Sequence, residues 1–197
     1  MLRQKLQNYD IILASGSPRR QQLFKVLDIP FSIQLKAVKE IYPDSLKESD
    51  ITDYLAQLKA QSFTNLNDRE ILITADTIVW FDNKAIGKPK DYEDAFQMLK
   101  KLSDHMHEVY TSVCIKTSKN RKTINDCTKV YFTELSDDEI HDHLKNEQPF
   151  DKAGSYGIQD RIGLTGVYKI EGNYFNVMGL PVHKLYKELI SFIKSSE

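Results

Sequence analysis

The chain of 197 residues has little of what marks the specialised protein classes. It has two cysteines, Cys114 and Cys127, too few for a disulfide framework, and no Cys/His spacing of a structural zinc site. Both fall in stretches that read as strands and are expected to be buried, reduced thiols. Charge of one sign is also missing: 27 basic residues nearly cancel 28 acidic ones, leaving −1. A general nucleic-acid or membrane-surface binder would carry a basic excess, so neither partner is expected. No apolar run approaches the roughly 20 residues that span a bilayer, and the opening Met-Leu-Arg-Gln-Lys lacks the apolar core of a signal peptide. A cytoplasmic location is the expectation. Three motifs are absent as well: G-x-x-x-x-G-K-[ST], G-x-G-x-x-G and G-x-S-x-G, which removes P-loop enzymes, dinucleotide folds and serine-elbow hydrolases.

What is present suits one globular domain over residues 1–197, since 41% of the residues are hydrophobic and 28% charged. Ile11 to Ala14 reads as a buried strand ending in Ser15-Gly16-Ser17-Pro18, where Ser17 can cap a helix and Pro18 fits its first position. Phe31 to Leu35 reads as a second strand. Asp50 is a plausible cap for a helix with Ile51, Tyr54, Leu55 and Leu58 on one face. Glu70 to Trp80 looks like a central strand running to a turn at Phe81-Asp82-Asn83, and Asp91 caps a helix built on Ala95, Phe96, Leu99 and Leu102. Two long strands, 108–117 and 123–135, are joined by a polar turn as a hairpin. Ser136 with Glu139 has capping-box spacing. A Gly-rich stretch, a strand near 167–170 and a helix from Pro181 complete a mixed α/β pattern.

Four segments could carry chemistry. Ser15-Gly16-Ser17-Pro18-Arg19-Arg20 joins a strand end to a helix N-terminus, where unpaired N–H groups and two guanidiniums suit an anion; an ordinary capped helix with a solvated Arg pair is the alternative. In Thr74-Ala75-Asp76-Thr77, a carboxylate sits inside an apolar strand, which is costly without a partner or cation. It is either structurally satisfied or part of a site. In Gly87-Lys88-Pro89 the proline restrains Lys88 to an extended backbone, so its ammonium can be aimed. Asp151-Lys152-Ala153-Gly154-Ser155-Tyr156-Gly157-Ile158-Gln159 allows close backbone approach at its glycines and ends in an amide that both donates and accepts; otherwise it is a flexible surface loop. The pairs His105/His107 and His141/His143 are expected to be solvated rather than metal ligands, because residues i and i+2 of a helix face different ways.

In their order along the chain these segments resemble the Maf family of nucleotide pyrophosphatases. The likeness rests on Leu13-Ala14-Ser15-Gly16-Ser17-Pro18-Arg19-Arg20, then Glu40, Lys59-Ala60, Ala75-Asp76-Thr77, Lys88-Pro89, the stretch from Gly154 to Gln159, and Gly179-Leu180-Pro181. The wording of residues 151–159 is similar to the branch acting on dTTP and UTP, while Asp160 departs from the glycine usual there. The resemblance implies an elongated mixed sheet with flanking helices and two lobes around a cleft, similar to inosine triphosphatases and Ham1 proteins. Homodimers are common in the family.

The same resemblance implies hydrolysis of a nucleoside triphosphate to the monophosphate and pyrophosphate. Arg19, Lys59 and Lys88, with Arg20, would face the phosphates, each pairing worth on the order of 4 kcal/mol before desolvation is subtracted. Ser15 and the turn amides would complete the cradle. Glu40 and Asp76 would bind a divalent cation, Mg²⁺ or Mn²⁺, and Asp76 would orient or deprotonate the attacking water, Lys88 assisting. Thr77 and Gln159, with Arg19, match the family's specificity positions; an amide can read the carbonyl and N3–H of uracil or thymine. A regulator of septum formation that binds nucleotide without turning it over is the other reading, though binding alone does not need acidic groups beside a polyanion.

Overall fold

The apolar and β-branched runs fold into a seven-stranded sheet in a computed structural model that describes residues 2–194. Its strands are β1 (Asp10–Leu13), β2 (Phe31–Ile33), β3 (Glu70–Phe81), β4 (Lys84–Ile86), β5 (Met106–Lys116), β6 (Arg121–Phe132) and β7 (Val167–Glu171). Their order is β2-β1-β3-β5-β6-β7, with β4 paired to β3. β1 lies parallel to both β2 and β3, and Ile11, Ile12 and Leu13 are at most 2% exposed. A strand flanked by parallel neighbours is covered on both faces, hence its unbroken apolar run in place of an alternating one. β3 and β4 are antiparallel across Asp82-Asn83, both at positive φ (50° and 56°), the backbone that a two-residue hairpin requires.

The helices are α1 (Leu2–Lys5), α2 (Pro18–Val26), α3 (Ser49–Gln61), α4 (Tyr92–Leu102), α5 (Asp137–Glu147), α6 (Arg161–Gly166), α7 (Tyr174–Val177) and α8 (Val182–Lys194). α4 starts where Asp91 accepts the Asp94 N–H, and α5 where Ser136 and Glu139 form a complete capping box. Two expected caps differ. The N-cap of α3 is Glu48, with Asp50 in the first turn, and Ser17 caps α2 without a side-chain hydrogen bond. No helix among the described residues is long and apolar enough to cross a membrane.

The chain divides into two compact units. One takes in the chain up to Asp76, Thr111–Asp126 and the chain from Gly179 onward; the other comprises Thr77–Tyr110 and Cys127–Met178. The first packs Ala56, Ala60 and Phe63 against Ile12, Leu72 and Cys114; the alanines let α3 lie close on the sheet. The second is built on Val79, Leu99, Leu102, Val109, Phe132, Ile140, Leu144, Tyr156 and Ile162.

Two expectations on burial need correction. Cys114 is fully buried but Cys127 is exposed, because Thr128, Val130 and Phe132 claim the inward-facing positions of β6 and leave residue 127 on the other face. His105 and His141 are exposed, whereas His107 lies on β5 at 1% exposure and His143 on the inner face of α5 at 3%.

Candidate active site

The first unit gathers three charged residues from distant parts of the sequence. Thr74 and Asp76, two positions apart on β3, share one face of the strand. The Thr74 hydroxyl donates to the Ala56 carbonyl at 2.6 Å and fixes α3 against that face. One turn on, Lys59 sends its side chain across to Asp76, with Nζ 2.5 Å from Oδ1. The same ammonium lies 3.0 Å from Glu40 Oε1, so both carboxylates meet at a single cation. Glu40 sits in the irregular connection between β2 and α3. That connection is tied to the end of the helix bearing Lys59, since Lys36 donates to the Ser62 carbonyl at 2.9 Å and rests over the Phe63 ring. Lys116 holds the same helix end, donating to the Ala60 and Phe63 carbonyls at 3.1 and 2.6 Å.

Asp76 is only 6% exposed. Burial pushes its carboxyl above the ordinary range against the downward pull of Lys59 and, less strongly, Arg20. Arg20 enters from α2: Nε donates to the Gly179 carbonyl at 2.7 Å and Nη1 to the Ala75 carbonyl at 2.9 Å. Its guanidinium therefore ties the Asp76 strand to the turn at Gly179 and places positive charge beside the carboxylate. Burial pulls its pKa down, yet guanidinium remains protonated in proteins. Half-buried Arg19 is close enough to add a like-charge contribution to Arg20.

In the turn after β1, Ser15 is 5% exposed and its Oγ accepts the Ser17 N–H at 3.3 Å. Gln21 donates to the Ser15 carbonyl at 3.1 Å, so the first turn of α2 closes back onto the strand end.

The second unit holds the remaining candidates. Thr77 follows Asp76 on β3 and is half-buried, while Lys88 is exposed beside buried Pro89. The Gly154 N–H donates to the Gly87 carbonyl at 3.0 Å, joining the Lys88 turn directly to the Gly-rich segment. That segment is far from a flexible loop. Residues 154–158 are buried, Gly154 has φ +70°, and a Cβ there would sit 3.0 Å from Val79 Cγ2. Gln159 emerges exposed at its end.

Two histidines expected to be solvated do this holding. His143 Nε2 donates to the Ser155 carbonyl at 3.0 Å, and His107 Nε2 pairs with the Tyr156 hydroxyl at 2.6 Å. Neither Nδ1 has a hydrogen-bond partner, and burial lowers both pKa values, that of His107 to about 3, which favours the neutral rings. Lys152 and Asp160, at the two ends of the segment, form an ion pair at 3.4 Å. Buried histidines on an apolar strand and helix face were the available signal.

Residues 10–192 match the family model described as Maf-like protein. The chain is similar to a dTTP/UTP pyrophosphatase of Flavobacterium psychrophilum, 56% identical over 192 residues that cover 97% of this chain and 98% of the relative. It is likewise similar to a dTTP/UTP pyrophosphatase of Christiangramia forsetii, 50% identical over 196 residues covering 99% and 100%. Among solved structures, a HAM1 protein from Coxiella burnetii superposes with a TM-score of 0.53 over 93% of this chain and 99% of that one, at 12% identity. That likeness establishes a shared mixed α/β fold.

Proposed function

The chain belongs to the Maf family, and on that premise we propose that it hydrolyses dTTP and UTP to the monophosphates and pyrophosphate. The observation that carries this reading is the buried Asp76, held on Lys59 together with Glu40 and flanked by Arg20. An acid pair compensated by fixed cations suits water activation beside a polyanion.

Asp76 receives a proton from, or aligns, the water whose oxygen attacks the α-phosphorus. The bond to the bridging oxygen then breaks and pyrophosphate leaves with the electron pair. A carboxylate raised by burial is a stronger base than a solvated one, which favours the proton transfer. Lys59 supplies its ammonium to the phosphates, helped by Arg19 and Lys88, and the hydroxyl and amides of the Ser15 turn bind the tail. Arg20, with Nε and Nη1 on backbone carbonyls, acts chiefly by shaping the turn and by its field. Thr77 and Gln159 face the base.

Glu40 and Asp76 converge on one point, the Lys59 ammonium, and oxygen donors suit a hard divalent cation; among the described residues no group of three or more His, Cys, Asp or Glu could hold a metal by itself, so phosphate and water would have to complete its shell. Mg²⁺ binds in this manner, through one or two carboxylates with phosphate and water completing its shell. Glu40 and Asp76 would hold Mg²⁺ or Mn²⁺, which when bound neutralises phosphate charge and polarises the P–O bonds.

The test is pyrophosphate release from a panel of nucleoside triphosphates with and without Mg²⁺. Metal-dependent release that is fastest with dTTP and UTP is expected. Binding of UTP without pyrophosphate release would contradict the hydrolase assignment and favour a nucleotide-binding regulator.

A further inference from the structure

We propose that Lys152 and Asp160 form a clasp that closes the segment 153–159 on itself and so aims Gln159. They are positioning residues for base recognition, not contacts to the nucleotide. The inference rests on the reading of Gln159 as the base-facing amide.

The pair joins the residue just before the 3-10 turn Ala153–Ser155 to the residue just after Gln159. The two side chains are 13% and 12% exposed, so this is not a solvated surface pair. Lys152 Nζ also lies 3.3 Å from Asp151 Oδ1, whereas Asp160 Oδ2 is buried without a hydrogen-bond partner among the described residues, so it is loss of Lys152 that strands a charge in a largely dry position. Asp160 occupies the N-cap of α6, where an aspartate ordinarily accepts from the helix amides, yet it makes no side-chain cap bond. Its carboxylate is turned back over the segment instead. A Cβ on Gly157 would come within 2.6 Å of Asp160 Oδ2, and the Asp160 N–H donates to the Gly157 carbonyl at 3.0 Å. Glycine at 157 is therefore what lets the clasp shut.

The middle of the segment is pinned separately, by the Gly87 carbonyl on the Gly154 N–H and by His143 on the Ser155 carbonyl. Gln159 itself is exposed and makes no hydrogen bond to the chain among the described residues. Its direction is thus set by its backbone, and that backbone is bracketed by buried Ile158 on one side and clasped Asp160 on the other.

The experiment compares Asp160→Asn, Lys152→Met and Gln159→Ala, singly and with each clasp variant combined with Gln159→Ala. Pyrophosphate release from UTP and GTP and the thermal midpoint are measured for each. Either clasp variant is expected to lower kcat/KM for UTP about three- to fivefold, no more than Gln159→Ala itself, mainly through KM, to leave GTP nearly unchanged, and to add nothing in the Gln159→Ala background. Equal losses for UTP and GTP, losses that multiply with Gln159→Ala, or an unchanged UTP-to-GTP ratio would overturn the clasp. An unchanged ratio in Gln159→Ala alone would sink the base-reading assignment first and the clasp with it. If Asp160→Asn does not fold, Lys152→Met carries the same comparison from the other end of the pair.

Discussion

In the unit that contains Asp76, charged side chains answer one another directly: one ammonium serves two carboxylates, and a half-buried guanidinium ties the neighbouring backbone. In the unit that contains Gln159, the buried pins are neutral imidazoles on backbone and phenol, and the functional candidates Lys88 and Gln159 stand exposed at the ends of held segments. Under the proposed function the difference matches two separate tasks. Reaction chemistry on a polyanion needs charges whose desolvation is already compensated within the fold. Recognition needs donors and acceptors left open on a backbone that does not wander.

The contrast gives four ways to break or sharpen it. The largest effect is expected at the charged centre: Asp76→Asn keeps the shape and removes the base, and should cut kcat for UTP by about 10²–10⁴-fold with a thermal midpoint close to wild type. Turnover within tenfold of wild type would remove Asp76 from the chemistry. Next comes acid stability. The His107 ring binds a proton more readily in the unfolded chain, near 6.5, than in the folded one, about 3, so acidification favours unfolding. Its contribution is complete above pH about 6.5 and is lost progressively as the pH falls toward 3, on the order of a few kcal/mol in all. His107→Gln should flatten the fall of denaturation free energy with pH over that window; parallel curves for the two proteins would dismiss the neutral-pin account.

Two smaller effects are expected at the exposed residues. Lys88→Ala should weaken UTP binding about tenfold or more and UMP binding little, with no change in thermal midpoint. Equal losses for both nucleotides would argue against a phosphate contact. Gln159→Ala should narrow the preference for UTP over GTP by about fivefold, as expected of one lost amide pairing at an exposed position. A preference left intact would mean that the base is read elsewhere.

Much of this was legible in the sequence, for identifiable reasons. The apolar runs in β1 and β3 and the capping box at Ser136 and Glu139 are local signals, and each became the element expected. The Asp76 cluster was legible only because a carboxylate in an apolar strand demands a partner; that the partner would be Lys59, 17 residues away, depended on how α3 lies on β3. Other features left no periodic trace. β4 has three residues, α6 carries two glycines in six, and the Lys152–Asp160 pair spans an irregular segment in which spacing says nothing about direction. The buried histidines misled for two reasons: His107 lies on a strand whose inner face begins one residue earlier than the apolar pattern suggests, and His143, though on a helix, shares its inner face with Ile140 and Leu144.

Hydrolysis of UTP in ¹⁸O-labelled water tests the central assignment most directly, with the label located by mass spectrometry after a single turnover. Label in UMP, with unlabelled pyrophosphate and no free phosphate, is the expected result. Label in pyrophosphate or in orthophosphate would contradict attack at the α-phosphorus.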